Sequence, residues 1–164
     1  MKSPFIYAGA ALAVALAVSA CGGNGYGTPS TGSAGPSKAP ASYTSTIIGV
    51  TTTRLGQFLV DDQGRTLYLF EADKGMTSTC DGACAQAWPP LLTSTGEKAG
   101  SGVSAAELGT MTRKDGTTQV TYNDHPLYYF VADRKPGDVT GQGLNQFGAA
   151  WYVVSPAGNR IDNR

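Results

Sequence analysis

Hydrophobic and polar positions begin with an apolar leader at the start of the chain. The apolar run extends from Phe5 to Val18 behind Lys2. A charged start followed by a short apolar run is typical of a secretory signal peptide. A membrane-spanning helix needs about 20 apolar residues, and this run is shorter. Residues 1–20 are therefore predicted to be a signal peptide.

A polar stretch separates the leader from the rest of the chain. Residues 22–45 are mostly Gly, Ser, Thr, Pro and Ala, with almost no large apolar side chain. Such a segment cannot bury enough surface to offset the entropy lost on ordering. We therefore predict that residues 21–46 form a flexible tether. The last residues, 159–164, are predicted to be a frayed tail.

Short β-branched and aromatic runs alternate with turn residues from 47 to 158, and this region contains an internal repeat. Residues 58–74 align with residues 118–134 without a gap. In each copy a polar turn separates two β-rich runs, which predicts a hairpin. Because a lone hairpin is marginally stable in water, the two halves, about 47–92 and 110–156, should pack together. We predict one mainly β domain.

Side chains alternate along the second run of each copy. In the first copy Leu67 and Leu69 face one way, and Tyr68 and Phe70 face the other. Residues 127–130 repeat this arrangement in the second copy. Because both faces are apolar or aromatic, these strands should be central and covered on both sides.

Three further elements follow from local pattern. Strands are predicted at Ile47–Thr53 and Trp151–Ser155, where β-formers cluster. One or two short helices are expected, and the clearest candidate runs from Ser104 to Leu108. There Ser104 and Glu107 have capping-box spacing.

Composition narrows the classes of function. Lys and Arg total 12 and Asp and Glu total 12, so the net charge is zero with histidine neutral. This balance offers no basic face for nucleic acid. The chain has no phosphate loop, no dinucleotide fingerprint and no nucleophile elbow, and it has one histidine. We therefore expect a protein without enzymatic activity and without a cofactor.

The leader ends in a sequence that resembles the lipobox of bacterial lipoproteins. Small residues at positions 18–20 precede Cys21. The resemblance implies a diacylglyceryl thioether on Cys21 and cleavage of the bond before it. The protein would then be exported and lipid-anchored at the extracytoplasmic face of a bacterial membrane. An ordinary secretory signal with a chance cysteine is the alternative.

The remaining cysteines, Cys80 and Cys84, are predicted to form a disulfide, since an even pair in an exported domain favours one. On a regular helix their Cβ atoms would be about 5–6 Å apart, whereas a disulfide needs about 3.5–4.5 Å. A bridge therefore requires a non-helical turn, which Asp81 and Gly82 can supply. A reactive redox pair is the alternative.

A metal site is a weaker candidate. Cys80, Cys84 and His125 are soft or borderline ligands that suit copper. Their spacing is not that of a zinc site, and a histidine in a turn is more often hydrogen-bonded or exposed. We predict no metal.

Paired aspartates and aromatic residues allow two interpretations each. Asp73 and Asp133 could act as acid and base, but each closes an aromatic strand and can accept backbone N–H bonds from the turn that follows. Trp88 and Trp151 could stack on a ligand, but burial in the core is the favoured interpretation.

Several linked motifs resemble the bacterial secreted-repeat lipoproteins, whose signature is Tyr-x-(Phe/Trp/Tyr)-x-x-Asp. Each copy carries this signature, at Tyr68, Phe70, Asp73 and at Tyr128, Phe130, Asp133. The cysteine pair followed by Trp88, and the segments 123–130 and 136–143, fit the family too. The resemblance implies an exported or lipid-anchored protein, and it carries over no catalytic residue.

Two hypotheses of function follow. The first is a lipid-anchored, non-catalytic β module that binds an envelope protein or a polysaccharide, with the membrane as partner through its anchor. The alternative is an extracytoplasmic redox or copper-type metal-handling protein that uses Cys80, Cys84 and His125.

Overall fold

The computed structural model describes residues 46–162, so the predicted signal peptide, Cys21 and the tether up to residue 45 lie outside the described residues. Thr46, the last residue assigned to the tether, begins the first strand instead. The elements within this range are, in chain order, β1 (Thr46–Thr53), β2 (Gly56–Asp61), β3 (Tyr68–Phe70), α1 (Ala83–Ala87), β4 (Glu97–Ala99), β5 (Leu108–Thr112), β6 (Thr118–Tyr122), β7 (His125–Pro126), β8 (Asn145–Gln146) and β9 (Ala149–Val153). The domain is mainly β, as predicted. No helix in this range is long and apolar enough to cross a membrane.

Three small sheets make up the domain. Their strand orders are β2-β1-β4, β3-β9-β8 and β5-β6-β7. The third sheet belongs to the second copy of the repeat, and the first sheet combines β1 and β2 of the first copy with β4, which lies between the copies. The middle sheet pairs β3 of the first copy with β9 of the second, from Tyr68 opposite Val153 to Phe70 opposite Trp151. The two halves are therefore interlocked.

The hairpin prediction is correct for the second copy and needs correction for the first. In the second copy β6 turns into β7 through Asn123 and Asp124, whose φ angles are 47° and 63°. Short polar residues tolerate this left-handed region. In the first copy the ladder of β2 is formed with β1 instead. The predicted partner run touches β2 only near Thr66 and Leu67, and then leaves it.

The two copies meet where the second runs cross. The Tyr68 N–H donates to the Tyr128 carbonyl at 2.9 Å, and the Tyr128 N–H donates to the Tyr68 carbonyl at 2.9 Å. Because β3 forms this pair of bonds and also pairs with β9, it does not form the predicted hairpin with β2. The prediction that these strands are central is confirmed for the first copy, because β3 has a neighbour on each side and is fully buried. In the second copy residues 127–130 form no strand, and Tyr129 and Phe130 are half-buried beside a cavity.

The core has two layers, one on each face of the crossing strands. Leu67 and Leu69 lie in a mostly aliphatic cluster, and Tyr68 and Phe70 lie in an aromatic one. This division agrees with the alternation predicted from the sequence.

The predicted helix at Ser104–Leu108 is wrong. The Glu107 N–H donates to the Ser104 carbonyl at 3.2 Å, which makes a single turn, and Leu108 already begins β5. The flanking backbone groups are bound elsewhere, since the Ser104 N–H donates to the Tyr122 hydroxyl and the Glu107 carbonyl accepts from Asn123. The one helix among the described residues is α1 instead.

The expected frayed tail is corrected for residues 159–162. The chain turns after Ser155 and runs back along β9, with Val154 bridged to Arg160 and the Ile161 N–H donating to the Val153 carbonyl at 3.1 Å. We call residues 158–162 the C-terminal segment. Asn163 and Arg164 lie outside the described residues.

We expect Gly141→Ala to destabilise the domain by about 1–3 kcal/mol, the usual range for overpacking a core. A methyl group at Gly141 would lie 2.6 Å from Trp88 Cη2 and 3.1 Å from Tyr68 Cε1. The free energy of unfolding, measured in urea, tests this. Gly49→Ala is the matched control, since nothing lies within 4 Å of its added methyl group, and equal losses in the two variants would contradict the packing argument.

Candidate functional site

At the centre of the domain the two copies exchange hydrogen bonds reciprocally. The Tyr68 hydroxyl donates to Asp133 Oδ2 at 2.7 Å, and the Tyr128 hydroxyl donates to Asp73 Oδ2 at 2.6 Å. Each tyrosine therefore reaches the aspartate of the other copy. The spacing of the signature marked all four residues, but it gave no sign that the partners are exchanged.

The second oxygen of each aspartate closes the loop that follows it. Asp73 Oδ1 accepts the Thr79 N–H at 2.7 Å and the Thr79 hydroxyl at 2.8 Å. Asp133 Oδ1 accepts the equivalent N–H and hydroxyl of Thr140. This agrees with the expectation that both aspartates accept backbone bonds from the following turn. The two carboxylates are held by separate loops as scaffolding.

The tyrosine hydroxyls stay protonated as donors. Burial raises the pKa of Tyr68 well above its ordinary value, and the hydrogen bond and charge of Asp133 raise it further. Burial likewise raises the pKa of Tyr128, with Asp73 adding to the effect. Removing either proton would place an anion beside a carboxylate inside the domain, which is unfavourable.

Four stacked rings fill the aromatic layer. Their centroids are 4.2, 3.9 and 4.1 Å apart, in the order Phe130, Trp88, Trp151, Phe70. Each indole N–H is satisfied by Gln146, through its side chain for Trp88 and its carbonyl for Trp151. Both tryptophans are completely buried. This corrects the hypothesis that Trp88 and Trp151 are binding aromatics, since neither presents a ring face to a ligand.

Cys80 and Cys84 form a disulfide with a Cα–Cα distance of 5.1 Å. The bridge spans the turn at Asp81 and Gly82, and α1 begins only after Gly82, whose φ is 56°. The Trp88 N–H donates to the Cys84 carbonyl at 2.7 Å. The disulfide and its turn therefore help to position Trp88 within the stack, and the non-helical turn agrees with the prediction.

A buried arginine ties this loop to the second copy, and the sequence gave no signal for it. Arg113 Nη1 donates to Ser78 Oγ at 2.9 Å and to Gln119 Oε1 at 2.6 Å, and Nη2 donates to the Cys80 carbonyl at 2.6 Å. The related position in the first copy is Thr53, so the repeat itself does not predict a cation there.

The residues proposed for metal binding do not assemble into a site. Within residues 46–162 there is no group of three or more His, Cys, Asp or Glu side chains that could hold an ion. Cys80 and Cys84 are engaged in the disulfide, and His125 is half-buried at the start of β7. The copper-type alternative therefore lacks a ligand set in this part of the chain.

An open cleft of about 410 Å³ lies beside the second aromatic strand. We call it the cleft, and its lining residues are Gln63, Arg65, Thr66, Pro89, Tyr129, Phe130, Val131, Asp133, Arg134, Lys135 and Pro136. Three of these side chains are cations, and two are aromatic rings. The sequence gave no signal that Arg65, Arg134 or Lys135 belongs to a site.

One wall of the cleft is a fixed ion pair stacked on a ring. Arg65 Nη2 lies 2.6 Å from Asp61 Oδ2, and the Arg65 guanidinium lies over the Tyr129 ring at 4.1 Å. Asp61 Oδ2 also accepts the Tyr129 hydroxyl at 2.9 Å. Because the Asp61 side chain is buried and that of Arg65 is 51% exposed, the cation is the partner that faces solvent.

The opposite wall is a loop held in shape by Asp138. Its Oδ2 accepts the N–H groups of Arg134 at 2.9 Å and Lys135 at 3.0 Å, and these bonds lower the pKa of Asp138. The side chains of Arg134 and Lys135 are exposed, and no ion pair within residues 46–162 uses them. The loop therefore presents two available cations at the rim.

Residues 49–92 and 109–155 match the model of a family described as a secreted repeat of unknown function. These two segments make up more than half of the chain, and the chain belongs to this family. They coincide with the predicted repeat halves. No curated protein and no solved structure matches the chain. Membership indicates an exported protein of uncharacterised role, and it assigns no activity to the cleft.

We expect the stability of the domain to fall as the pH rises above about 10, the ordinary pKa of tyrosine. The folded pKa values of Tyr68 and Tyr128 are raised, so their stabilisation is complete below the unfolded value and is lost above it. The Tyr68→Phe/Tyr128→Phe double variant should lose about 1–3 kcal/mol per site at neutral pH.

Urea unfolding between about pH 8 and pH 11 measures both effects. The double variant should show a shallower alkaline decline than the parent, because it lacks the two phenols that resist deprotonation. Parallel declines in the parent and the variant would contradict the role given to these hydroxyls.

Proposed function

We propose that the protein is a lipid-anchored, non-catalytic binding module at the extracytoplasmic face of a bacterial membrane, and that its ligand site is the cleft. The main support for this proposal is the cleft itself, an open cavity with cations at its rim. The two interlocked copies of the repeat form the scaffold that carries it. A site of this kind, concave and lined by rings and a few polar groups, is suited to binding.

The chemistry of the cleft supports binding over catalysis. Asp133 is the one carboxylate that lines it. Both of its oxygens already accept hydrogen bonds, from Tyr68 and from Thr140. The lining residues include no serine, cysteine or histidine. A general base needs a free lone pair within reach of the substrate, and Asp133 is committed to the scaffold.

The anchor rests on the leader sequence. The small residues before Cys21 and the short apolar run behind Lys2 support lipidation. Two or more acyl chains give stable membrane retention, whereas a single chain binds only marginally. Membership in a secreted-repeat family is consistent with this location.

The redox or copper-handling alternative has less support. Cys80 is completely buried and Cys84 is 5% exposed. Disulfide exchange requires a thiolate to reach one of the sulfurs, and here the loop bound by Arg113 would first have to open. We therefore place the function at the cleft and assign the disulfide to the scaffold.

Cys21→Ser should abolish labelling by a metabolic fatty-acid probe and release the protein from the membrane fraction. The thioether needs the sulfur of Cys21, so a hydroxyl in its place removes the attachment point. Ser30→Ala, which changes a residue of the polar stretch outside the lipobox, is the control and should label as the parent does. Labelling of Cys21→Ser at the parent's level would refute the anchor.

A photoreactive phenylalanine analogue at Val131 should yield crosslinks to an envelope component in intact cells. Val131 lies at the cleft and is 46% exposed. Met76 is equally exposed, at 46%, and does not line the cleft, so the same analogue there is the matched control. Adducts separated by gel and identified by mass spectrometry provide the readout. Identical adducts from both positions would argue against the cleft as the site.

A further inference from the structure

The C-terminal segment covers a face to which both copies of the repeat contribute, Glu71 from the first and Asn123 and Tyr152 from the second. Arg160 Nη1 donates to Glu71 Oε2 at 3.0 Å, and the Arg160 guanidinium lies over the Tyr152 ring at 5.0 Å. At the other end of the segment, Asn123 Nδ2 donates to the Gly158 carbonyl at 3.3 Å. We call the surface formed by Glu71, Asn123 and Tyr152 the covered face.

The repeat relates the covered face to the cleft. Each of the three residues of the covered face has a counterpart in the other copy. The gap-free alignment gives the counterparts of Glu71 and Asn123, and the residue that follows each tryptophan gives the counterpart of Tyr152. All three counterparts line the cleft: Glu71 corresponds to Val131, Asn123 to Gln63 and Tyr152 to Pro89. The cleft is therefore the counterpart, related by the repeat, of a surface that holds an extended stretch of polypeptide.

Among the described residues, no such segment lies over the cleft. After Trp88 the chain does not turn back. It continues into the third sheet, where the Thr93 N–H donates to the Thr118 carbonyl at 3.0 Å and Leu92 bridges Gln119. The counterpart of the covered face thus stays open as a cavity.

The two surfaces differ in charge. The covered face offers the carboxylate of Glu71, and the segment brings the cation of Arg160 to it. In the cleft Val131 replaces that carboxylate, and Arg65, Arg134 and Lys135 surround it. The local carboxylates of Asp133 and Asp138 are already bound by donors of the domain. Arg65 is paired with Asp61. The charged groups left for a ligand are Arg134 and Lys135, beside apolar surface, so the complementary segment is acidic.

We propose that the cleft binds an extended acidic peptide segment of a partner protein, which lies across Val131 as the C-terminal segment lies across Glu71. The inference rests on the proposed function, since it names the partner class of the same site. An extended segment gains main-chain and side-chain contacts in the manner of peptides that add to sheet surfaces. Opposite charges on the cleft and on the peptide favour binding of the correct partner and speed its encounter with the cleft.

A displayed library of random decapeptides, selected on the protein purified from the exported fraction, tests this class of ligand without assuming one sequence. We expect peptides that combine Asp or Glu with apolar residues to be enriched. Their binding should weaken when salt is added, because exposed charges are screened over about 10 Å at 0.1 M ionic strength. Enrichment of basic peptides, or no enrichment above uncoated support, would overturn the proposal.

Three variants locate the binding. Val131→Glu introduces the carboxylate that Glu71 provides on the covered face, and Arg134→Glu reverses the charge of a rim cation. Each variant should lower the affinity for a selected peptide by about tenfold or more. Lys74→Glu is the matched control, since Lys74 is the repeat counterpart of Arg134 and is exposed outside the cleft. It should leave affinity within about twofold of the parent. Equal loss in all three variants would overturn the assignment to the cleft.

Polygalacturonate, an anionic polysaccharide, tests whether the cleft binds a polysaccharide instead of a peptide. If it binds through Arg134 and the selected peptides do not, the peptide proposal fails while the binding function of the cleft stands. If neither binds and crosslinking at Val131 is also absent, the proposed function itself fails. The two proposals can therefore be rejected independently.

Discussion

The structure depends on the crossing of Tyr68 and Tyr128 at the centre of the domain. The two residues exchange backbone hydrogen bonds, and each hydroxyl then reaches the aspartate of the opposite copy. A buried hydroxyl or carboxylate without a partner costs about 1–3 kcal/mol, so all four groups are satisfied only when the two copies are engaged. Neither half can keep these bonds by itself, which explains why the duplicated sequence forms one interlocked unit.

The packing of the aromatic stack, like the hydrogen bonds, requires both copies of the repeat. Trp88 and Trp151 come from different copies and lie face to face at 3.9 Å, and Gln146 satisfies both indole N–H groups. The disulfide loop and Arg113 fix the segment that carries Trp88. With rings, disulfide and aspartates all committed to this scaffold, the chemistry available to a ligand is confined to the loops outside it.

The two copies share a scaffold and differ in what lies against it. In the first copy the C-terminal segment pairs Arg160 with Glu71, and in the second copy Val131 takes the place of the carboxylate within an open cavity rimmed by cations. A duplicated fold can therefore cover one surface with its own chain and leave the counterpart open. Function in such a protein is determined by the residues of a site rather than by the fold that carries it.

Local chemistry in the sequence determined the β character, the repeat, the alternating faces around Tyr68 and the turn at Asn123, because each depends on neighbours along the chain. The position of Asp73 and Asp133, between an aromatic strand and a turn, also favoured a structural role. Only the tertiary structure decided that tyrosine and aspartate exchange partners between copies, that Arg113 is buried, and that Ser104–Glu107 is a turn. These outcomes, like the cleft, depend on contacts between residues far apart in sequence, which no local pattern encodes.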